Sequence, residues 1–147
     1  MMRIGLLLIA LTLCGQSWAG PFEDASAAYE RGDYATALRL YRPLAENGDP
    51  DAQINLANMY FDGNGVLQDY AESVKWYLAA ADQGNADARI ALGFLYEYGE
   101  AVPQDYVQAY KWFDLAGSRV YRDTLASKMT PAQIAEAQKV AREWKPK

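Results

Sequence analysis

Side chains that could carry out catalysis are few in this sequence. The 147 residues contain no histidine and a single cysteine, Cys14. A serine nucleophile therefore has no histidine to take its proton. None of the serines after residue 19 opens a Ser-x-x-Lys motif (Ser26, Ser73, Ser118 and Ser127). Zinc prefers cysteine and histidine ligands. The composition thus disfavours serine, cysteine and zinc chemistry, and it implies no metal and no cofactor.

Carboxylates are abundant, and one class of hydrolase needs only two of them. Four aspartates stand at regular positions, Asp49, Asp69, Asp87 and Asp105. Each lies where a helix is expected to start, and an aspartate at that position accepts hydrogen bonds from free backbone N–H groups. A hydrolase with two carboxylates stays open as an alternative, but a non-catalytic binding protein is favoured.

The first nineteen residues have the features of a secretory signal peptide. Arg3 supplies a positive charge, residues 4–13 form a short apolar run, and small residues precede an expected cleavage after Ala19. The protein is therefore predicted to be periplasmic or secreted. Cleavage would leave a chain without cysteine, which must be stabilised by packing and not by disulfides.

Two alternatives concern the same segment. The apolar run could be retained as an N-terminal anchor, although it is short for a bilayer. Cys14 could instead be lipidated, but Leu13 occupies a position where a lipoprotein signal requires a small residue.

Charge is unevenly distributed along the chain. Residues 20–117 contain 6 basic and 16 acidic residues, a balance of −10, whereas residues 118–147 contain 7 basic and 3 acidic residues, a balance of +4. The acidic body argues against nucleic acid as a partner. Membrane contact is expected only through the basic C-terminal segment, and such a run of charges is more commonly a solvated helix face.

One phrase of the sequence recurs after 36 residues: QDYAESVKWYLAAA starts at Gln68 and QDYVQAYKWFDLAG at Gln104. A fixed period of this length indicates stacked supersecondary units, with boundaries at about 22–50, 51–86 and 87–117. The 36-residue shift preserves 13 residues, namely Asp51, Ala52, Ile54, Leu56, Tyr60, Gly63, Val66, Gln68, Asp69, Tyr70, Lys75, Trp76 and Ala80.

Each unit is predicted to contain two helices. Ala52, Leu56 and Tyr60 share one stripe of the first helix, and Gly63 permits a turn with positive φ. The second helix is expected to open at Asp69, which has the spacing of a capping box with Glu72, three residues further on. The recurring tryptophans, Trp76 and Trp112, are expected to fill the core between stacked units.

A last amphipathic helix is predicted after residue 130. Thr130 is its expected N-cap, Pro131 its first residue, and Gln133 completes a capping box. Its apolar stripe consists of Ile134, Ala137, Ala141 and Trp144. We interpret this helix as the cap that closes the open end of the stack.

The repeated residues resemble the Sel1-like repeat family, which is related to the tetratricopeptide repeat. That pattern is present at Ala52, Leu56, Tyr60, Gly63, Gly65, Val66, Asp69, Trp76, Ala80, Ala81 and Gly84, and again from Ala88 to Gly117. The resemblance implies an all-α fold, a right-handed α-solenoid of antiparallel helix pairs. The domain organisation expected is a signal peptide at 1–19, a repeat domain at 20–117 and a helical cap at 118–147.

The same resemblance implies a scaffold for protein–protein interaction and no catalytic residue. Members outside the cytoplasm often act as adaptors in envelope assembly, signalling or host contact. Some cysteine-rich relatives bind or hydrolyse penicillin, so a cell-wall-related hydrolase or a penicillin-binding activity is the alternative function. The paired cysteines of those relatives are absent here.

A solenoid binds its partner along the concave surface formed by the first helix of each unit. Residues that differ between copies on that surface are therefore candidates for binding a protein or peptide: Gln53, Asn55, Asn58, Asp62, Arg89, Phe94 and Tyr98. Amides would bond a peptide backbone, and the aromatic rings would take an apolar side chain. The alternative is that Phe94 and Tyr98 pack under the C-terminal helix.

Overall fold

The computed structural model describes residues 20–147, which form eight α-helices and no β-strand. These are α1 (Pro21–Glu30), α2 (Tyr34–Glu46), α3 (Pro50–Asp62), α4 (Tyr70–Asp82), α5 (Ala86–Tyr98), α6 (Tyr106–Leu115), α7 (Arg119–Ala126) and α8 (Pro131–Glu143). The predicted signal peptide lies outside the described residues, and its cleavage stays a prediction.

Neighbouring helices pack in chain order. Helices α1/α2, α3/α4 and α5/α6 form three successive pairs, and the packing of α2 on α3 and of α4 on α5 joins one pair to the next. The connections within and between pairs are short, so that successive helices run antiparallel. The result is the stack of helix pairs expected from the repeat.

Polar side chains open the helices at three of the four predicted aspartates, whereas α5 is capped by Asn85 and Asp87 lies within its first turn. Asp49, Asp69, Asn85 and Asp105 each accept a hydrogen bond from a backbone N–H group in the first turn, with distances of 2.9–3.1 Å. At the other end of α3, Gly63 has φ 75°, the left-handed conformation that a side chain would strain. Those three starts and the predicted turn are therefore confirmed.

The predicted capping box at Asp69 is only half formed. The Asp69 carboxylate accepts from the N–H groups of Ala71 and Glu72, at 3.0 Å in both cases. The N–H of Asp69, however, donates to the carbonyl oxygen of Tyr60. Since that donor already has a partner, the Glu72 carboxylate turns away and pairs with Lys75 at 3.0 Å.

Alanines and tryptophans together fill the space between units. Ala80 and Ala81 are fully buried, which lets α4 approach its neighbours closely. Trp112 is 2% exposed. Trp76 is half-buried and packs against two groups of buried residues, one around Tyr41 and Leu56 and the other around Tyr77 and Leu92. The expected core position of both tryptophans is confirmed.

The C-terminal segment contains one helix that the sequence analysis does not single out. Helix α7 follows Gly117 and packs on α6. Its buried Leu125 stands 33 residues after Leu92, the same interval that separates Gly117 from Gly84. Helix α7 is therefore a shortened first helix of a fourth unit.

Helix α8 closes the stack along α6. Thr130 and Gln133 form the complete capping box that the sequence predicts. The amide nitrogen of Gln138 donates a hydrogen bond to the hydroxyl group of Tyr110, and Trp144, the C-cap residue after α8, meets Trp112 with ring centroids 5.7 Å apart. Contacts follow the same order along both helices, so α8 lies parallel to α6. No helix within residues 20–147 has the length and hydropathy needed to cross a bilayer.

Candidate functional site

The candidate binding surface is the solvent-facing stripe of α3 and α5, which we call the first-helix face. On α3 the stripe contains Asn55, Asn58 and Asp62, spaced three and four residues apart as one side of a helix requires. On α5 the equivalent stripe contains Phe94 and Tyr98. The 36-residue shift places Phe94 at the position of Asn58 and Tyr98 at the position of Asp62.

Gln53 is not available on this surface, in contrast to the sequence analysis. Its side chain is 5% exposed. The amide nitrogen donates to the carbonyl oxygen of Ala45 at 3.1 Å, and the amide oxygen accepts from Gln83 at 2.9 Å. Gln53 therefore joins α2 and α3 to the end of α4, because a buried amide must find partners inside the protein.

Arg89 is also occupied by the fold. Its guanidinium group donates to the carbonyl oxygens of Ala81 at 3.0 Å and Leu115 at 2.7 Å. These two carbonyl groups belong to the last turns of α4 and α6, where a cation is favourable. The same group lies 5.2 Å from the centre of the Trp144 ring. Arg89 thus ties three elements together and does not face the first-helix stripe.

The α3 half of the first-helix face is polar. The amide nitrogen of Asn55 donates to the carbonyl oxygen of Asp51 at 2.9 Å, within its own helix. Asn58 accepts a hydrogen bond from the hydroxyl group of Tyr77. Asp62 is exposed. Burial raises the pKa of Tyr77 to about 12, and the charge of nearby Asp62 acts in the same direction.

The α5 half is aromatic. Phe94 meets the ring of Phe113 edge to face at 5.1 Å and that of Tyr121 at 4.9 Å. Tyr98 stacks beside Phe94 at 6.0 Å and is 59% exposed. Phe94 thus packs against α6 and α7, whereas the ring of Tyr98 remains largely in solvent.

One residue of α7, Tyr121, extends this aromatic surface, and the sequence analysis missed it. Tyr121 is 39% exposed. Gly117 follows Gly84 by 33 residues, and the residue 33 positions after Ala88 is Tyr121. That alignment of a fourth, shortened unit was the available signal.

The polar and aromatic halves arise from one paired exchange. Tyr77 contacts Asn58 in the second unit, and the equivalent Phe113 contacts Phe94 in the third. A hydroxyl group and its acceptor are thus replaced together by two phenyl rings. The first-helix face can therefore offer hydrogen bonds beside Asn58 and apolar contact beside Phe94.

Groups suited to catalysis are not gathered on this face. Within residues 20–147, no three histidine, cysteine, aspartate or glutamate side chains are arranged to hold a metal ion. The carboxylates of Asp49, Asp69 and Asp105 accept hydrogen bonds as helix caps. What the face provides is a set of amides and exposed rings, which are groups that bind.

Fifteen chains among the solved structures resemble this one, including the following two. One is a protective antigen present in uropathogenic Escherichia coli strains and displaying an SLR fold, with 31% identity, a TM-score of 0.75 and coverage of 85% of this chain. The chain spans only 30% of that antigen. The other is a Sel1 repeat protein from Oxalobacter formigenes, with 31% identity, a TM-score of 0.57 and coverage of 74% of this chain and 95% of that one.

The family comparison agrees with these structures. The model of the Sel1 repeat matches residues 25–49, 50–85 and 86–119, well over half of the chain. A search of curated proteins finds no match. The solenoid of its structural neighbours confirms the fold class predicted from the sequence. Three consecutive repeats and this fold show that the chain belongs to the Sel1 repeat family.

Proposed function

We propose that this protein is a non-catalytic periplasmic or secreted scaffold that binds an extended segment of a protein partner on its first-helix face. The Sel1 repeat fold is generally a scaffold for protein–protein interaction, and proteins with this repeat generally bind protein partners. Such solenoids are typically non-catalytic. The proposal adds two statements about this chain: that its partner is an extended protein segment, and that this segment binds the first-helix face.

The observation that carries the proposal is the exposed aromatic group at Phe94. Tyr98 and Tyr121 flank Phe94 on both sides, and both keep a large part of their rings in solvent. Aromatic residues dominate the energetics of protein interfaces, because they bury a large area at a small cost in conformational entropy. An apolar side chain of the partner would pack between these rings.

The polar half supplies the complementary contact. Asn55 and Asn58 are half-exposed, and each has one amide atom engaged within the protein. An amide carries two donor hydrogens and two acceptor sites, so each retains capacity for a peptide backbone. The partner segment would therefore lie across α3 and α5, with its backbone at the asparagines.

Charge favours a partner with basic residues. The repeat region of residues 20–117 has a balance of −10, and Asp62 stands on the first-helix face itself. Opposite charges steer association and exclude wrong partners. A segment with an apolar residue flanked by lysine or arginine matches both features.

A photo-reactive amino acid placed at Tyr98 tests the proposal in the native envelope. We expect it to capture a defined partner, whereas the same group at Leu67 should not. Leu67 is a suitable control because it is 89% exposed in the loop between α3 and α4. Equal capture at the two positions would contradict the assignment of the face.

Purified components then measure the contribution of the aromatic group. Tyr98→Ala should weaken binding of the captured partner about tenfold or more, as interface aromatics commonly do. Leu67→Ser should leave the affinity unchanged. Circular dichroism spectra of both variants must match the parent, since only a folded variant reports on binding. An unchanged affinity for Tyr98→Ala would refute the aromatic anchor.

Localisation has its own test. Expression of the full chain, fractionation of the cells and mass spectrometry of the recovered protein should give an N-terminus at Gly20 in the periplasmic fraction or the medium. A protein that retains Met1 and stays in the cytoplasm would refute the predicted export.

A further inference from the structure

Two equivalent lysines of the repeat have different surroundings. Lys75 of α4 pairs with Glu72 at 3.0 Å, and its side chain is 63% exposed. Lys111 of α6 occupies the same position 36 residues later and is 7% exposed. The residue equivalent to Glu72 is Gln108, whose amide oxygen accepts from Lys111 at 2.7 Å. The buried Lys111 therefore lacks the neighbouring carboxylate that the exposed Lys75 has.

Lys111 has no opposite charge in contact. Among residues 20–147, no carboxylate lies within salt-bridge distance of its ammonium group. The face of the Trp112 ring, with its centre 4.1 Å away, supplies part of the stabilisation. Burial lowers the pKa of Lys111, and the more distant charge of Asp105 acts in the opposite direction. A buried cation without a counter-ion is costly and normally has a partner.

A second exchange near Lys111 also removes a polar contact. In the second unit, Tyr60 accepts a hydrogen bond from Arg42 at 2.9 Å. The equivalent residues are Tyr96 in the third unit and Leu78 in the second. Leu78 has no group that could donate to Tyr96. Without a counterpart of the Arg42–Tyr60 contact, an open and partly apolar space remains beside Lys111.

That space is a cavity of about 250 Å³ lined by Leu78, Tyr96, Lys111, Trp112 and Trp144. It lies between α4, α5, α6 and the segment after α8. Tyr96 stands two residues from Phe94, which turns the two side chains to opposite sides of α5. The cavity is therefore separate from the first-helix face and does not depend on the proposed function.

The lining of the cavity carries a net positive charge. Lys145 and Lys147 line it together with Lys111, and Asp82 is the carboxylate in its wall. Three rings and one leucine form the apolar part. A ligand that matches both features has one negative group and an apolar body.

We propose that this cavity binds a small organic carboxylate with an apolar or aromatic body, and that Lys111 receives the negative charge. The volume is below the range of about 300 to 1,000 Å³ that is typical for drug-sized ligands, so the ligand is small. The bound carboxylate replaces the counter-ion that Glu72 provides to Lys75. The same chemistry is offered by a free carboxylic acid and by the C-terminal residue of a peptide.

Titration with N-acetyl-leucine, followed by two-dimensional NMR of the labelled protein, tests this site. The indole N–H signals of Trp112 and Trp144 should shift with saturation. That of Trp76, which neighbours the exposed Lys75, should remain in place. N-acetyl-leucinamide has the same body without the charge and should bind about tenfold more weakly or not at all.

Gln108→Glu is the decisive variant, because it restores the counter-ion of the second unit to Lys111. We expect the affinity for N-acetyl-leucine to fall about tenfold. Glu72→Gln is the matched control on α4 and should not change it. Both substitutions preserve the shape of the side chain. Comparison of the acid with its amide on the unmodified protein still gives an answer if Gln108→Glu does not fold.

A short peptide that ends in leucine distinguishes the two sources. Stronger binding of the peptide than of N-acetyl-leucine, lost when its C-terminus is amidated, identifies a peptide terminus. Binding of N-acetyl-leucine alone identifies a free acid. Absence of selective shifts at Trp112 and Trp144, equal binding of acid and amide, or an unchanged affinity of Gln108→Glu would each overturn the proposal.

Discussion

The hydroxyl group of Tyr77 donates a hydrogen bond to the amide oxygen of Asn58. At the same two positions one repeat later, Phe113 and Phe94 meet edge to face at 5.1 Å. The repeat thus keeps the contact between first and second helix while it changes the chemistry of both partners. This exchange decides which part of the first-helix face is polar and which is aromatic.

Placing only one residue of the Tyr77–Asn58 pair at the equivalent position of the third unit should destabilise the fold. In Phe113→Tyr, the added hydroxyl group would face the ring of Phe94 without an acceptor, and we expect a loss of about 1–3 kcal/mol in the free energy of unfolding. Phe94→Asn alone should also destabilise, because it removes ring contacts. The double variant would recreate the pair of the second unit. Urea denaturation should show a smaller loss for it than the sum of the two single losses; simple additivity would contradict the pairing.

Alkaline pH should weaken the fold through Tyr77. Burial raises its pKa from 10.0 to about 12 in the folded protein. Between these values the unfolded chain has released the proton while the folded protein still holds it, so stability falls as the pH rises. The loss approaches about 2–3 kcal/mol near pH 12. Denaturation at a series of pH values should give a shallower decline for Tyr77→Phe than for the parent, and parallel curves would exclude this source.

Gly93 makes room for the ring of Phe113. A Cβ atom at Gly93 would lie 2.4 Å from an atom of that ring. The equivalent residue in the second unit is Ala57, which is fully buried and tolerated beside Tyr77. We expect Gly93→Ala to cost about 1–3 kcal/mol of stability, as overpacking of a core does. Phe113→Leu in the same chain should recover part of the loss, which thermal denaturation of the single and double variants would measure.

The loop between the two helices of a unit has alanine in the third unit where the second has glycine, so the reverse substitution can be tested in each. Ala101 has φ 63°, a left-handed conformation that is strained for alanine. Ala101→Gly should therefore stabilise the protein by about 0.5–1 kcal/mol after the greater entropy of glycine in the unfolded chain is subtracted.

The equivalent residue in the second unit is Gly65. A Cβ atom there would lie 2.7 Å from the carbonyl oxygen of Tyr34. Gly65→Ala should destabilise by more than Ala101→Gly stabilises, since both strain and a backbone clash oppose it. Differential scanning calorimetry of the two variants checks both signs, and a gain in melting temperature for Gly65→Ala would contradict the close approach.

Local signals were sufficient for the helices. Asp69 and Asp105 cap the second helix of their units because an aspartate needs only the N–H groups two or three residues further on. The incomplete capping box at Glu72 shows the limit of such reasoning. Its failure comes from Tyr60, nine residues earlier, whose carbonyl oxygen takes the N–H group of Asp69.

Residue type was a weaker guide to the candidate site. Gln53 and Arg89 vary between copies, which suggested exposure, but both end in buried or half-buried contacts with α2, α4 or α6. Long polar side chains reach several ångströms from their own helix. The groups that such a side chain contacts belong to neighbouring units, so the residues next to it in the sequence do not reveal them.

The sequence by itself determined the units, their helices, most of their caps and the family. The 36-residue period is visible directly in the sequence, and a helix cap depends only on residues two or three positions apart. Only the tertiary structure decided which polar residues face solvent, that α7 extends the aromatic surface with Tyr121, and that Lys111 is buried where Lys75 is exposed. Identical residues differ in this way because burial depends on what stacks beside each unit. Helix α8 covers the last unit, whereas the second is followed by another repeat.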